Sequence, residues 1–260
     1  MSAIPTDVSN IELAATHKAR VDTFAPKRIL MVVANPTTST TLGWPVGFWA
    51  EELAHPYYYF TEVGFEVTVS SPAGGKVEPD ALSDPRDPSR WSIDDILSLG
   101  FLTSPLTVPL IENTPKLTEL DWATYDALVI CGGQAPMFSF RDDEDLKRCI
   151  ATFYESNRLT CAFCHGVSAL VDVKLSNGEY LVKGKTITGF ANVEEEYGDA
   201  FVGKKIMPWR LEDALRERGA NYVQGGLFKA FAVRDGNLTT GQQQYSARKV
   251  ADAVIAALGA

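Results

Sequence analysis

Histidine is nearly missing from this 260-residue chain. His17, His55 and His165 are the only three. With no second Cys pair at ligand spacing, that is too few for a zinc site, and no metal is expected. Cysteine is sparse too. Cys131, Cys149, Cys161 and Cys164 lack the spacing of a disulfide framework, which suits a reducing compartment. Cys161 and Cys164 form a Cys-x-x-Cys, but a redox pair of that kind opens a helix, whereas Cys161 falls inside an apolar, strand-like run. Basic charge is short: 24 Lys and Arg stand against 33 Asp and Glu, for a net charge of -9. With no basic cluster, nucleic acid is not an expected partner. No apolar run approaches membrane-spanning length, and residues 1–27 show no basic region followed by an apolar core. The expected setting is therefore the cytoplasm, away from the membrane.

Hydrophobic side chains, in contrast, make up 45% of the chain, enough for one large α/β domain. The most informative stretch is Thr160–Ser168, Thr-Cys-Ala-Phe-Cys-His-Gly-Val-Ser. The apolar run Leu159 to Phe163 enters Cys-His-Gly and leaves into Val167 to Val171. That pattern predicts a buried strand, a sharp turn and a helix start. Such an elbow lifts one side chain above the sheet and turns backbone N–H groups toward whatever that side chain attacks. Here the side chain is Cys164, whose thiolate a helix N-terminus favours, and the N–H of His165 is placed to serve an oxyanion hole. Burial as inert core is the usual fate of cysteine and is the reading for Cys131, Cys149 and Cys161.

Around the elbow the chain reads as alternating strands and helices. Residues 1–26 are polar with proline breakers, an arm that includes a short helix over Ile11–Arg20. Arg28 to Ala34 is a continuous apolar run, the pattern of a parallel strand buried on both faces. Gly43 to Val63 is a loop entering a helix, with His55-Pro56 marking a kink or restart. Glu51 and Glu52 lie on that helix among aromatic residues, and one of them can be buried and protonated. Phe65–Ser70 is a strand. Residues 76–119 form a long excursion with short helices, Ser92–Leu99 among them, which reads as a lid or interface. Strand Ala127–Cys131 ends in a Gly132-Gly133-Gln134 turn whose N–H groups can face the elbow. Asp143–Ser156 is an amphipathic helix. Lys185–Phe190 is a strand, and Glu194-Glu195-Glu196 opens a helix. Pro208–Glu217 is a helix, three short strands follow around the Arg234–Asn237 turn, and Ser246–Leu258 closes the chain as a helix. The order predicts one doubly wound domain.

Several of these stretches together resemble the PfpI superfamily: Ala-Phe-Cys-His-Gly, Gly-Gly-Gln-Ala-Pro-Met, Gly-Lys-Thr-Ile-Thr-Gly-Phe with its Glu-Glu-Glu, and Asp-Gly-Asn-Leu-Thr-Thr-Gly-Gln-Gln. The family is similar in fold to class I glutamine amidotransferase domains. Glu52-Leu-Ala-His-Pro56 and the 76–119 insertion resemble its glyoxalase III and heat-shock-chaperone branch. The resemblance spans about residues 27–258. It implies a flavodoxin-like, doubly wound, mostly parallel sheet with helices on both faces and a small cap over residues 76–119, within a single domain (27–260) that forms homodimers. It implies Cys164 as nucleophile, Glu52 as the carboxylic acid against the sulfur, and His165 with an acidic partner at Glu195, or else Glu194. Oxyanion contacts fall to the backbone of Gly133 and His165. Three positions depart from the family pattern: Gln134-Ala135 replaces His-Gly, Val167 replaces a common Pro, and Ser139 replaces an Asp. These bear on the substrate rather than on the nucleophile. Gln134 is a candidate substrate contact, as are Trp49 and Phe190, from an aromatic set that also holds Trp44, Phe48, Tyr57 and Tyr58 and that otherwise fills core.

The implied activity is a cofactor-independent glyoxalase of the hydro-lyase type, which turns a small 2-oxoaldehyde into a 2-hydroxy acid through a Cys164 hemithioacetal. The same Cys-Glu pair could instead hydrate or hydrolyse a small carbon–nitrogen substrate or remove a glycation adduct. A reading from another class is a stress chaperone or an oxidation sensor, whose cysteine is oxidised rather than turned over.

Overall fold

The computed structural model describes residues 26–259. The arm and its helix over Ile11–Arg20 lie outside the described residues, but for Pro26. In chain order the strands are β1 (Arg28–Val32), β2 (Thr37–Thr38), β3 (Pro45–Val46), β4 (Glu66–Ser70), β5 (Ala127–Ile130), β6 (Leu159–Phe163), β7 (Thr186–Ile187), β8 (Asn221–Tyr222), β9 (Ala232–Asp235) and β10 (Leu238–Gly241). The α-helices are α1 (Ala50–Glu62), α2 (Ile96–Thr103), α3 (Val108–Glu112), α4 (Pro136–Ser139), α5 (Glu144–Glu155), α6 (Asn192–Val202), α7 (Leu211–Glu217) and α8 (Ala247–Leu258).

Six strands form one sheet in the order β4-β1-β5-β6-β10-β9. Every pairing is parallel except β10 with β9 at one edge. Apolar runs without alternation build it because both faces are covered. Leu30, Val32, Leu128 and Ile130 enter one core cluster, with Leu146, Ile150 and Phe153 of α5. Their neighbours Ile29, Met31, Ala127 and Val129 enter a second cluster, with Leu53 and Phe60 of α1 and Val250 and Val254 of α8. The split follows the two-residue period of a strand. The α/β architecture with a mostly parallel sheet is as expected. The carboxyl ends of β1, β5 and β6 lie side by side, and the loops leaving β5 and β6 meet there.

Several elements differ from expectation. The strand over Lys185–Phe190 shrinks to β7, which pairs with β8 in a separate ladder. The helix expected over Ser92–Leu99 begins at Ile96, where the Asp95 side chain accepts the N–H of Ser98 as N-cap. The helix over Pro208–Glu217 begins at Leu211. Pro56 neither ends nor restarts α1, which runs unbroken through it. The Glu52 carbonyl, deprived of the N–H that Pro56 lacks, takes a donor from β5's end instead: the Cys131 thiol, 3.3 Å away.

Candidate active site

Cys164 follows β6 directly, and its backbone turns left-handed, with φ +55°. Residues 164–170 continue as a 3₁₀ helix rather than the α-helix expected, and all are buried. A non-glycine residue held there is strained, and such strain concentrates at functional sites. The backbone N–H groups of His165 and Gly133 both donate toward the Cys164 sulfur. Gly133 has φ +110°, which aims its N–H into the site and excludes other residues. At Gly132 a Cβ would lie 2.7 Å from Glu52 Oε2 and 2.8 Å from the Cys164 Cβ. Only glycine lets the turn, the acid and the thiol meet.

Glu52 is fully buried in the first turn of α1. Its Oε2 accepts the N–H of Gly132 at 2.6 Å, and its carboxyl lies against the Cys164 thiol. Oε1 has no hydrogen-bond partner among the described residues. Burial pushes this carboxyl well above its ordinary range, against the hydrogen bonds from Cys164 and Gly132. The helix dipole favours an anion here by about 0.3–1 kcal/mol, whereas the desolvation penalty of a buried ion is several kcal/mol. Burial outweighs the dipole and favours the protonated form of Glu52. Glu51 points elsewhere, toward His55 and Asp95. The thiol is pushed up by burial first, then by any negative charge on Glu52, and pulled down by the N–H groups of His165 and Gly133. A protonated Glu52 removes that charge and supplies a donor, so the pair carries one negative charge at most.

His165 Nε2 lies 2.9 Å from Glu195 Oε1, and both side chains are buried. With the Nε2 proton given to that carboxylate, Nδ1 faces Cys164 Sγ at 3.9 Å as an acceptor. Phe190 stacks on the imidazole, with centroids 4.2 Å apart. Glu194 is drawn elsewhere: it accepts from the Ala191 and Phe228 N–H groups and the Gln242 side chain. It fastens the loop that carries Phe228. Neither Glu194 nor Glu195 is the solvated helix carboxylate usual at such a position. Sequence reasoning missed Arg210, whose guanidinium sits 3.6 Å from Glu195 Oε2 and pairs with Asp199. No spacing signal links Arg210 to the elbow.

The thiol opens into a cavity of about 150 Å³. Trp49, Gln134 and Phe190 line it, with Leu82 and Trp91 from the excursion and Tyr197 and Phe201 from α6. Trp91 meets Phe201 edge-on at 5.5 Å across the mouth. The rest of the aromatic set does not reach it. Phe48 is core, Trp44 packs on the opposite cluster, and Tyr57 and Tyr58 pack on Phe101.

Asp80 was also missed. This buried residue of the excursion accepts the N–H of Gly47 at 2.8 Å and of Gln134 at 2.6 Å. It thereby ties the cap segment to the turn that carries Gly133. Burial raises its carboxyl to about 7, against those two N–H groups. The folded state then binds more protons than the unfolded chain, whose Asp titrates near 3.8. The contribution of Asp80 to stability is therefore fullest below about pH 4 and is lost as pH rises to about 7. Asp80→Asn is expected to flatten part of that decline. Melting temperatures between pH 4.5 and 8 check this, and an equally steep decline in the variant contradicts it.

A mostly parallel α/β sheet, with a cysteine on a left-handed elbow facing a buried carboxyl and a His–Glu pair, defines the class of this protein. The chain belongs to the DJ-1/PfpI family, whose model matches residues 44–257. Glyoxalase 3 of Candida albicans is 29% identical over 240 residues, covering 89% of this chain and 98% of that protein. Glutathione-independent glyoxalase HSP31 of Saccharomyces cerevisiae is 28% identical over 242 residues, covering 90% and 99%. The crystal structure of the Candida glyoxalase III superposes with a TM-score of 0.74 at 28% identity, covering 89% and 97% of the two chains. The 24 kDa rapid encystment protein of Francisella tularensis superposes with a TM-score of 0.81 at 28% identity, covering 90% and 100%.

Proposed function

We propose that this chain is a glutathione-independent glyoxalase that converts a small 2-oxoaldehyde such as methylglyoxal, with one water, into the 2-hydroxy acid. The meeting of a buried, protonated Glu52 with Cys164, whose thiol lines a small apolar cavity, carries this reading. Likeness along nearly the whole chain to proteins named as glyoxalases supports it. The cavity, at about 150 Å³, is below the ~300–1,000 Å³ of pockets for drug-sized ligands. That suits a molecule of a few heavy atoms and leaves no room for a peptide chain.

The sulfur anion adds to the aldehyde carbon, and the new oxyanion lies toward the N–H groups of Gly133 and His165. Glu52 gives its proton to that oxygen and becomes a base. It then takes the C1 hydrogen, giving an enediol bound through sulfur, and returns a proton to C2. His165, oriented by Glu195, relays protons between the two oxygens. The product of these steps is a thioester of Cys164 with the hydroxy acid. Water, with His165 as base, cleaves it and restores the thiol. The first carbon has been oxidised and the second reduced within one molecule, so no redox partner is consumed. The family likeness favours a homodimer as the working form.

A panel of methylglyoxal, glyoxal, small nitriles and short peptides, without glutathione, tests the proposal. Methylglyoxal and glyoxal are expected to be consumed, with lactate and glycolate as products. Turnover confined to nitriles or peptides would move the same site to carbon–nitrogen chemistry.

A further inference from the structure

In an α-helix the N–H of residue i+4 donates to the carbonyl of residue i. Pro56 lies in the interior of α1, four residues after Glu52. It has no N–H, so the Glu52 carbonyl loses its helical donor, and a buried carbonyl without one is costly. The donor that reaches it is the Cys131 thiol, at 3.3 Å. Cys131 is fully buried. Burial first, and then the nearby Glu52, push that thiol well above its ordinary value, so it stays S–H and stays a donor. The next residue, Gly132, gives its N–H to Oε2 of the same Glu52 at 2.6 Å. Two consecutive residues at the end of β5 therefore hold Glu52 by its main chain and by its carboxyl. A cysteine that merely filled core would have no need to aim its sulfur at this one carbonyl.

We infer that Cys131 is a positioning residue: its thiol stands in for the N–H that Pro56 lacks and fixes the first turn of α1, so that the Glu52 carboxyl meets Cys164. The inference rests on the role given to Glu52 above. Its test reads Cys164 directly and is therefore separable from the glyoxalase reading.

The experiment is the pH profile of Cys164 alkylation by iodoacetamide, localised by mass spectrometry, with a melting curve for each protein. Cys131→Ala is expected to alkylate about three- to tenfold more slowly near neutral pH, the worth of one hydrogen bond, with its profile moved to higher pH. Cys131→Ser keeps a donor and follows the wild type. Adding Pro56→Ala to Cys131→Ala supplies an N–H to the Glu52 carbonyl and recovers the rate. Packing alone would leave that double variant as slow as Cys131→Ala. Such a result, or a Cys131→Ala profile that coincides with the wild type, overturns the inference. If Cys131→Ala does not fold, Cys131→Val replaces it, with similar size and no donor: slowing supports the role, and a wild-type profile overturns it. Methylglyoxal turnover on the same samples separates the two claims. The expected profiles without lactate would keep the positioning role and remove the glyoxalase.

Discussion

Cys164→Ala is expected to lower methylglyoxal turnover by roughly 10⁴-fold or more, because without sulfur there is no covalent route from aldehyde to acid. No second thiol can substitute. Cys131, Cys149 and Cys161 are buried away from the cavity, which none of them lines. The fold should tolerate the change. The left-handed backbone at 164 is already paid for by its surroundings in the wild type, and alanine adds no bulk, so melting within a few degrees of wild type is expected. Loss of turnover with an intact melt assigns the chemistry to this sulfur. Turnover near the wild-type level would remove Cys164 from the mechanism.

Glu52→Gln is expected to cost about 10²–10⁴-fold in turnover, the usual worth of a positioned general acid–base. The amide is nearly the same size, and its oxygen can still accept the Gly132 N–H, so the site keeps its shape. The N–H groups of His165 and Gly133 still face the sulfur, so alkylation of Cys164 should survive while turnover is lost, which separates the proton shuttle from the stabilisation of sulfur. Glu52→Ala loses both, since it also leaves the Gly132 N–H unpaired. Stability gives an independent check. The folded-state carboxyl is raised, so the wild type loses stability as pH climbs through and above the ordinary carboxylate range. Glu52→Gln should lose less over that window. A variant that turns over like the wild type would contradict the assignment.

Much of the sheet was legible because parallel strands buried on both faces are written as unbroken apolar runs, as in β1 and β6. The elbow was legible for the same reason, with Cys-His-Gly interrupting such a run. Helix phase separates Glu51 from Glu52, but only the packing of α1 against β5 shows which of them faces inward. The residues missed share one property: their partners lie on other elements. Asp80 binds backbone N–H groups at Gly47 and Gln134, Arg210 holds the Glu195 carboxylate, and Cys131 meets a carbonyl orphaned by Pro56. Local pattern carries no trace of such pairings. Proline's rule was misleading for a related reason, since a donor from β5 relieves the break it would otherwise make.

The most direct test of the account is the yield of lactate from methylglyoxal, followed by NMR with reduced protein and no added thiol, for wild type and Cys164→Ala in parallel. One lactate for each methylglyoxal consumed by the wild type, and none above background with the variant, is the predicted result. No lactate from the wild type, or equal amounts from both proteins, would contradict it.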